Sequence, residues 1–293
     1  MKEAFVARTF RGPALALLER AEIVVESYTG RGFRLTLRQL YYQLVSANAI
    51  SNEERSYKRL GDLLSDARLA GLVDWAAIED RVRVPRMAAE FADLRELAEA
   101  ALASYRLPRW EGQDRYVELW VEKDALAGVL QPLAREFHVT LMVNRGYSSQ
   151  TAMYDASKRF LAAADEGKDP VLLYLGDHDP SGEDMVRDIG DRLATFGVEG
   201  LDLEKIALTT AQVEEYGPPP NPTKMTDSRA AAYVARHGEH SWEVDALRPE
   251  TLQDLIRSAI ERRLDAAKMD EVKEREEADK DALRAAVSEI LGR

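Results

Sequence analysis

The sequence predicts an α/β protein: a mainly helical amino-terminal part, then a mainly parallel sheet with flanking helices. Two observations predict it. From Arg115 onward, short apolar runs alternate with amphipathic stretches of ten or more residues, the pattern that builds strand–helix–strand units. Before that point the patterning is helical, with capping signals and one short extended segment. At 293 residues the chain is long enough for about two domains. The pattern divides it into 1–110 (helical), 111–264 (sheet and its elaboration) and 265–293 (a charged helix).

The first helix is expected from about Pro13 to Tyr28, ending at "GRG". Thr36 offers an N-cap to a second helix, "LRQLYYQLVSA". Ser51 and Glu54 have capping-box spacing, so a third helix is expected from about Asn52 to Leu69. "LVDWAAIEDRVRV" then reads as a strand or wing. Helix, turn, helix and extended element is the order of a winged helix-turn-helix. A further helix over about 87–105 leads to "RLPRWEGQD", a Pro/Gly/charged candidate linker. Strands are expected at "YVELWVE", "VTLMVNRG", "PVLLYLGDHD" and "LEKIALT". The helices between them are "KDALAGVLQPLAREF", with a kink or break at Pro132, "SSQTAMYDASKRFLAAADEG", and a helix opening at Pro180. "YGPPPNPTKMTD" should be irregular and exposed, "SRAAAYVARHG" helical, "SWEVDAL" a short extended piece, and "RPETLQDLIRSAIERRL" helical. The charged tail reads as a solvated or packing helix.

Composition excludes several classes. With no cysteine there are no disulfides, no thiolate catalysis and no cysteine zinc site. No run approaches the roughly 20 apolar residues that span a bilayer, and the amino terminus has no apolar core of a secretory signal, so a cytoplasmic protein with no membrane association is expected. The net charge of −12 is uneven. Residues 1–59 hold 10 Lys+Arg and 6 Asp+Glu (+4), and the other 234 hold 30 and 46 (−16). The amino-terminal part is therefore where a polyanion would be met.

Open parallel sheets place their sites at the carboxyl ends of strands. Here those ends carry Glu122, Gly146–Tyr147, and Asp177 with Asp179. Asp177 and Asp179 are two apart on extended chain and can point the same way. With Glu122 they form an oxygen-rich set for a hard divalent cation, Mg²⁺ or its substitute Mn²⁺. His178 would face the other way, in a structural role. Taken singly, an Asp-X-Asp before a helix is a cap or turn feature.

"VEKDAL", "RGY" and "LGDHDPSG", in that order, resemble a Toprim domain, and most closely that of the A subunit of topoisomerase VI and its relative, the meiotic double-strand-break transesterase. The matching motifs are Val121–Asp124 and Asp177–Gly182. The resemblance covers about residues 30–250 and fits the compact stand-alone "mini-A" form. It implies a winged-helix domain ahead of the Toprim domain, Mg²⁺ at Glu122, Asp177 and Asp179, and double-stranded DNA as substrate. It also implies a homodimer in which one subunit's tyrosine faces the other's metal site. The family's tyrosine motif, Arg-acidic-apolar-aromatic-Tyr, falls on Arg38–Tyr42, with Gln39 where the family has an acidic residue. "GYSSQ" also departs from the family's proline-containing segment.

Helical phase separates the two tyrosines independently. With Leu37 at 0°, Leu40, Tyr41 and Leu44 lie within about 60° of it, whereas Arg38 and Tyr42 lie at about 100° and 140°. Tyr41 is expected in the core, and Tyr42 off the apolar face beside Arg38. A phenol ionises near pH 10 and needs a neighbouring cation to act as a nucleophile, a role open to Arg38. DNA contacts are expected from Arg55, Lys58, Arg59 and Arg68 on the third helix, with Lys123 beside Glu122. The leading reading is a Mg²⁺-dependent DNA transesterase with catalytic Tyr42, Arg38 and Glu122. Alternatives are a Toprim nuclease that uses water and a non-catalytic DNA-binding subunit. No GxxxxGK[ST] loop is present, so strand passage would need a separate ATPase subunit.

Overall fold

The computed structural model describes residues 2–31, 34–75, 78, 88–144 and 146–291. Three helices open the chain: α1 (Pro13–Thr29), α2 (Leu37–Ser46) and α3 (Glu54–Leu69). They bury one cluster that includes Leu18, Ala21, Val25, Leu40, Leu44, Leu60 and Leu64. Thr36 caps α2 as expected. Gln39 completes a capping box, its Oε1 accepting the Thr36 N–H at 2.9 Å while Thr36 Oγ1 accepts the Gln39 N–H. The Ser51–Glu54 box does not form. Ser51 Oγ pairs with Ser56 Oγ, and α3 begins two residues later than expected, with no side-chain cap. Of the expected wing, Ile78 makes a parallel bridge to Leu35. Residues 76–77 and 79–87 lie outside the described residues.

The fourth helix is shorter than expected. α4 (Leu94–Ser104) starts where the Asp93 carboxylate accepts the Glu96 N–H. The segment read as a linker is pinned down instead. Trp110 is buried and donates Nε1–H to Phe137 O, Arg109 pairs with Glu276, and Gln113 bonds Asp265 through both ends of its amide. Tethering of this kind at both ends suits a structural belt better than a spacer.

The sheet is fully parallel, in the order β2-β1-β3-β4: β1 (Arg115–Val121), β2 (Thr140–Val143), β3 (Asp169–Leu175) and β4 (Asp202–Ala207). Val121 lies level with Val143 and Leu175, and Leu175 with Ala207, so all four strands end at one edge. Alternating strand residues feed two cores. Leu119, Val121, Leu173 and Leu175 pack with α5 (Ala127–Phe137) and α10 (Pro249–Glu261). Trp120, Leu172 and Tyr174 pack with α6 (Gln150–Asp165) and α7 (Pro180–Thr195). α5 runs through Pro132 without a break.

Between β4 and α10 lie α8 (Thr210–Tyr216), β5 (Asn221–Pro222), α9 (Ala230–His237) and β6 (His240–Ser241). The proline-rich stretch is less open than its composition predicts: β5 pairs antiparallel with β6, and Thr223 is buried. "SWEVDAL" leaves β6 and closes into a 3-10 turn at Val244–Ala246. The charged tail, α11 (Ala266–Leu291), packs on α4 and buries Met269 and Val272. Among the described residues, no helix is long and apolar enough to cross a membrane.

Candidate functional site

The strand order makes β1 and β3 neighbours whose chains leave in opposite directions, β1 to β2 and β3 to β4. That is the topological switch point, where open α/β sheets hold ligands. Glu122 leaves β1 and Asp177 follows β3 at this crevice. They touch: the Asp177 N–H donates to Glu122 Oε2 at 3.0 Å. Two glycines permit the tight exit. A Cβ on Gly182 would fall 2.2 Å from Asp177 O, and one on Gly176 2.6 Å from the Tyr174 ring. Asp179 is the N-cap of α7, its Oδ1 accepting from Gly182 N–H at 2.6 Å and Ser181 Oγ–H at 2.9 Å.

His178 is buried and structural, as expected. Its backbone exchanges two hydrogen bonds with Trp242 (2.8 and 2.9 Å), and its ring stacks on the Trp242 indole. Nδ1 pairs with Glu183, whose carboxyl burial alone would raise. The His178 and Lys205 contacts hold it at about 2 instead. The His178–Trp242 bridge delivers the next residues to the crevice. Val244 N–H donates to Asp177 Oδ1 at 2.9 Å, and the carboxylates of Asp177, Glu243 and Asp245 come within 4.8 Å of one another.

This gathering differs from the expected set of Glu122, Asp177 and Asp179. Asp177 belongs to both. Glu122 adjoins it through the backbone, and Asp179 is engaged by the helix cap. Glu243 and Asp245 carried no functional expectation. The local signal they offer, two carboxylates spaced i, i+2 in an extended piece as at Asp177 and Asp179, does not place them at the crevice.

Among the described residues, two cations face the triad. Lys123 Nζ lies 2.7 Å from Asp177 Oδ2, 2.5 Å from Glu243 Oε2 and 3.4 Å from Asp245 Oδ1. Burial would lower the Lys123 ammonium, but Asp245 and Asp177 outweigh it and hold it above its ordinary value. Arg38 reaches across from α2, bonding Glu243 and placing Nε 2.7 Å from Asp245 Oδ2. Glu122 is raised to about 7, by burial first and then by the Asp177 charge. Burial likewise raises Asp177, against the pull of Lys123.

The tyrosines do not divide into core and surface as helical phase predicts: both are buried in the cluster of the first three helices, their rings edge-on to each other at 5.2 Å. Tyr41 faces α3, its hydroxyl 3.0 Å from Asn52 Oδ1 and its ring edge-on to Tyr57. Tyr42 does not emerge into solvent and is only 4% exposed. Helical phase reports one helix and its own stripe, whereas α2 is also covered by the Val244–Ala246 turn of the sheet part. Tyr42 sits with Arg38 5.8 Å from its ring centroid and Asp245, Lys123 and Asn221 as neighbours. Burial raises the phenol and Asp245 adds to this, while the nearby Arg38, Lys123 and Asn221 oppose it. Tyrosine and carboxylates thus meet within one chain.

Of the expected DNA contacts, Arg55, Lys58 and Arg59 are exposed on one face of α3, with Lys58 paired to Glu54. Arg68 does not join them. It lies on another face, donates to Ile78 O at 2.7 Å and packs on Trp75. Lys123 lies inside the acidic cluster. Neither a protein-family model nor a curated protein sequence matches the chain.

Proposed function

We propose that this protein is a divalent-metal-dependent DNA strand-breaking transesterase of the topoisomerase VI A-subunit type, with Tyr42 as nucleophile. The observation that carries the reading is the convergence of Tyr42, Arg38 and Lys123 on three carboxylates at the sheet's switch point. In the reaction the Tyr42 oxygen attacks a backbone phosphorus. An O–P bond to tyrosine forms, the bond from phosphorus to one deoxyribose oxygen breaks, and that oxygen leaves as a hydroxyl. The linkage energy is kept in the phosphotyrosyl ester, so the break is resealable. Arg38 and Lys123 stabilise charge on the phosphate and on the developing phenolate.

Asp177, Glu243 and Asp245 suit a hard cation by donor type and spacing. Mg²⁺, or Mn²⁺ in its place, would supply charge neutralisation for the phosphate there. Duplex DNA would be met through Arg55, Lys58 and Arg59. A homodimer would present two tyrosines to two strands, and an ATP-using subunit for strand passage would be a separate chain.

Glu122 supports a second reading. A carboxyl held to about 7 can take a proton from water near neutrality, which is what a Toprim nuclease requires. Labelled duplex DNA incubated with Mg²⁺ or Mn²⁺ and resolved under denaturing conditions separates the two. A covalent protein–DNA adduct absent from Tyr42→Phe and Asp177→Ala is expected. Metal-dependent cleavage that survives Tyr42→Phe would reject the transesterase in favour of the nuclease.

A further inference from the structure

Lys205 is the single cation of β4, and its side chain is only 11% exposed. Leu203 and Lys205 are two apart on the strand and share the face that packs against α7. A bulge follows at once. Tyr174 is level with Lys205 and Leu175 with Ala207, so Ile206 is an extra residue at the strand's carboxyl end. Lys205 Nζ meets two oxygens there. It donates to Asp177 O at 2.7 Å and to Glu183 Oε1 at 2.6 Å. The same Glu183 oxygen lies 2.8 Å from His178 Nδ1. Engaged by two oxygens and largely covered, the ammonium acts within the fold rather than on a DNA phosphate.

We infer that Lys205 is a positioning residue for the carboxylate site: its ammonium fixes the Asp177 carbonyl directly and, through Glu183, the His178 ring that stacks on Trp242. Asp177 is one side of the triad. Trp242 stands immediately before Glu243, on the other side. One ammonium thus touches the supports of both. The Asp177 carbonyl has backbone on its far side, since a Cβ on Gly182 would fall 2.2 Å from its oxygen. It is held between α7 and Lys205, and the side chain on the same residue takes its place from that hold. Asp177 Oδ1 then meets the Val244 N–H at 2.9 Å, which ties the two sides together. Groups that orient a metal ligand in this way govern affinity without touching the ion. The inference takes from the proposed function only that Asp177, Glu243 and Asp245 hold a divalent ion, and not the strand-breaking reaction.

The test compares Lys205→Met with Arg263→Met in the full-length chain. Arg263 braces the same strand, 2.8 Å from Asp202 Oδ2 and 2.7 Å from Glu204 Oε2, and so controls for a loss of stability alone. Native-state hydrogen exchange is read without metal, and Mn²⁺ binding by calorimetry, both at one fixed pH. In Lys205→Met the Val244 amide should exchange about tenfold faster relative to the β1 amides. Mn²⁺ affinity should fall about tenfold. Lys205→Arg keeps a donor for the carbonyl and should recover part of both. Arg263→Met should lower the unfolding midpoint and leave both readouts in place. If circular dichroism shows that Lys205→Met does not fold, Glu183→Ala takes its place, since Glu183 is partly exposed and its loss frees the His178 ring from Lys205. Unchanged Val244 exchange in the folded variant overturns the inference. So does an unchanged Mn²⁺ affinity where the parent binds the ion, or an equal change in Arg263→Met. Faster Val244 exchange in a chain whose parent binds no Mn²⁺ supports the positioning contact and rejects the metal site.

Discussion

Arg38 Nε lies 2.7 Å from Asp245 Oδ2, and Asp245 has no exposed surface. A guanidinium on the second helix therefore helps neutralise a carboxylate buried beside the sheet, and one contact joins the two halves of the site. Removing one partner of a buried pair costs roughly 3–5 kcal/mol when nothing replaces it. Arg38 is partly exposed and Lys123 shares the same carboxylate, so about 1–2 kcal/mol is expected for Arg38→Ala. Urea unfolding gives the value. A midpoint unchanged from the parent would show that the contact contributes nothing. Arg38→Lys should recover only part of the loss, because an ammonium lacks the planar fork that reaches Glu243 and Asp245 together.

Lys123 occupies the position from which a divalent ion would bind the triad. A cation held there would compete with the ammonium for Asp177 and Glu243. Lys123→Met should therefore tighten binding of Mn²⁺, measured by calorimetry, even as it impairs the proposed reaction with DNA. Glu243→Gln should weaken the same binding severalfold, and Asp179→Asn should leave it nearly unchanged, since the Asp179 carboxylate serves the α7 cap. The opposite order, with Asp179→Asn the damaging change, would move the ion to the set read from the strand ends.

Two glycines in α7 should respond in opposite ways to one added methyl group. At Gly182 the new Cβ would overlap Asp177 O at 2.2 Å, and both are backbone-fixed. Gly182→Ala should cost more than 2 kcal/mol on the scale of overpacked cores and displace Asp177. At Gly190 the nearest atom is Leu203 Cδ2 at 3.6 Å, an ordinary contact. Gly190→Ala should be neutral or stabilise by up to about 1 kcal/mol, as expected for a helix interior. Thermal unfolding of the pair would settle it, and equal effects would discard the steric argument.

The sheet was legible because its strands are short apolar runs bounded by turn signals, a local property. Asp177 was legible for the same reason, since a strand end is read from the strand. Glu243 and Asp245 were not, because a bridge between His178 and Trp242 brings them in, and no periodicity reports a bridge across 64 residues. Tyr42 shows the same limit from the other side. Its angular position was correct, but its burial depends on a turn some 200 residues away. Gln39, which departs from the motif that Arg38–Tyr42 resembles, has a local job in the capping box of the helix that carries the tyrosine. The amide at that position serves α2 whether or not catalysis needs a charge there.

Glu122 gives the site a pH signature whose sign follows from linkage. Its carboxyl ionises at about 7 in the folded chain and near 4.5 when unfolded. Below 4.5 both states hold the proton. Between 4.5 and 7 the folded state binds a proton that the unfolded state has released, so stability falls as pH rises through this window. Above it, the buried charge beside Asp177 costs up to about 3 kcal/mol. Glu122→Gln removes that ionisation and retains an acceptor for the Asp177 N–H. With divalent ions chelated, the variant should be more stable than the parent at pH 8 and nearly equal to it at pH 5. A stability difference that is the same at both values would mean that Glu122 does not titrate in this range, and the case for it as a proton acceptor near neutrality would go with it.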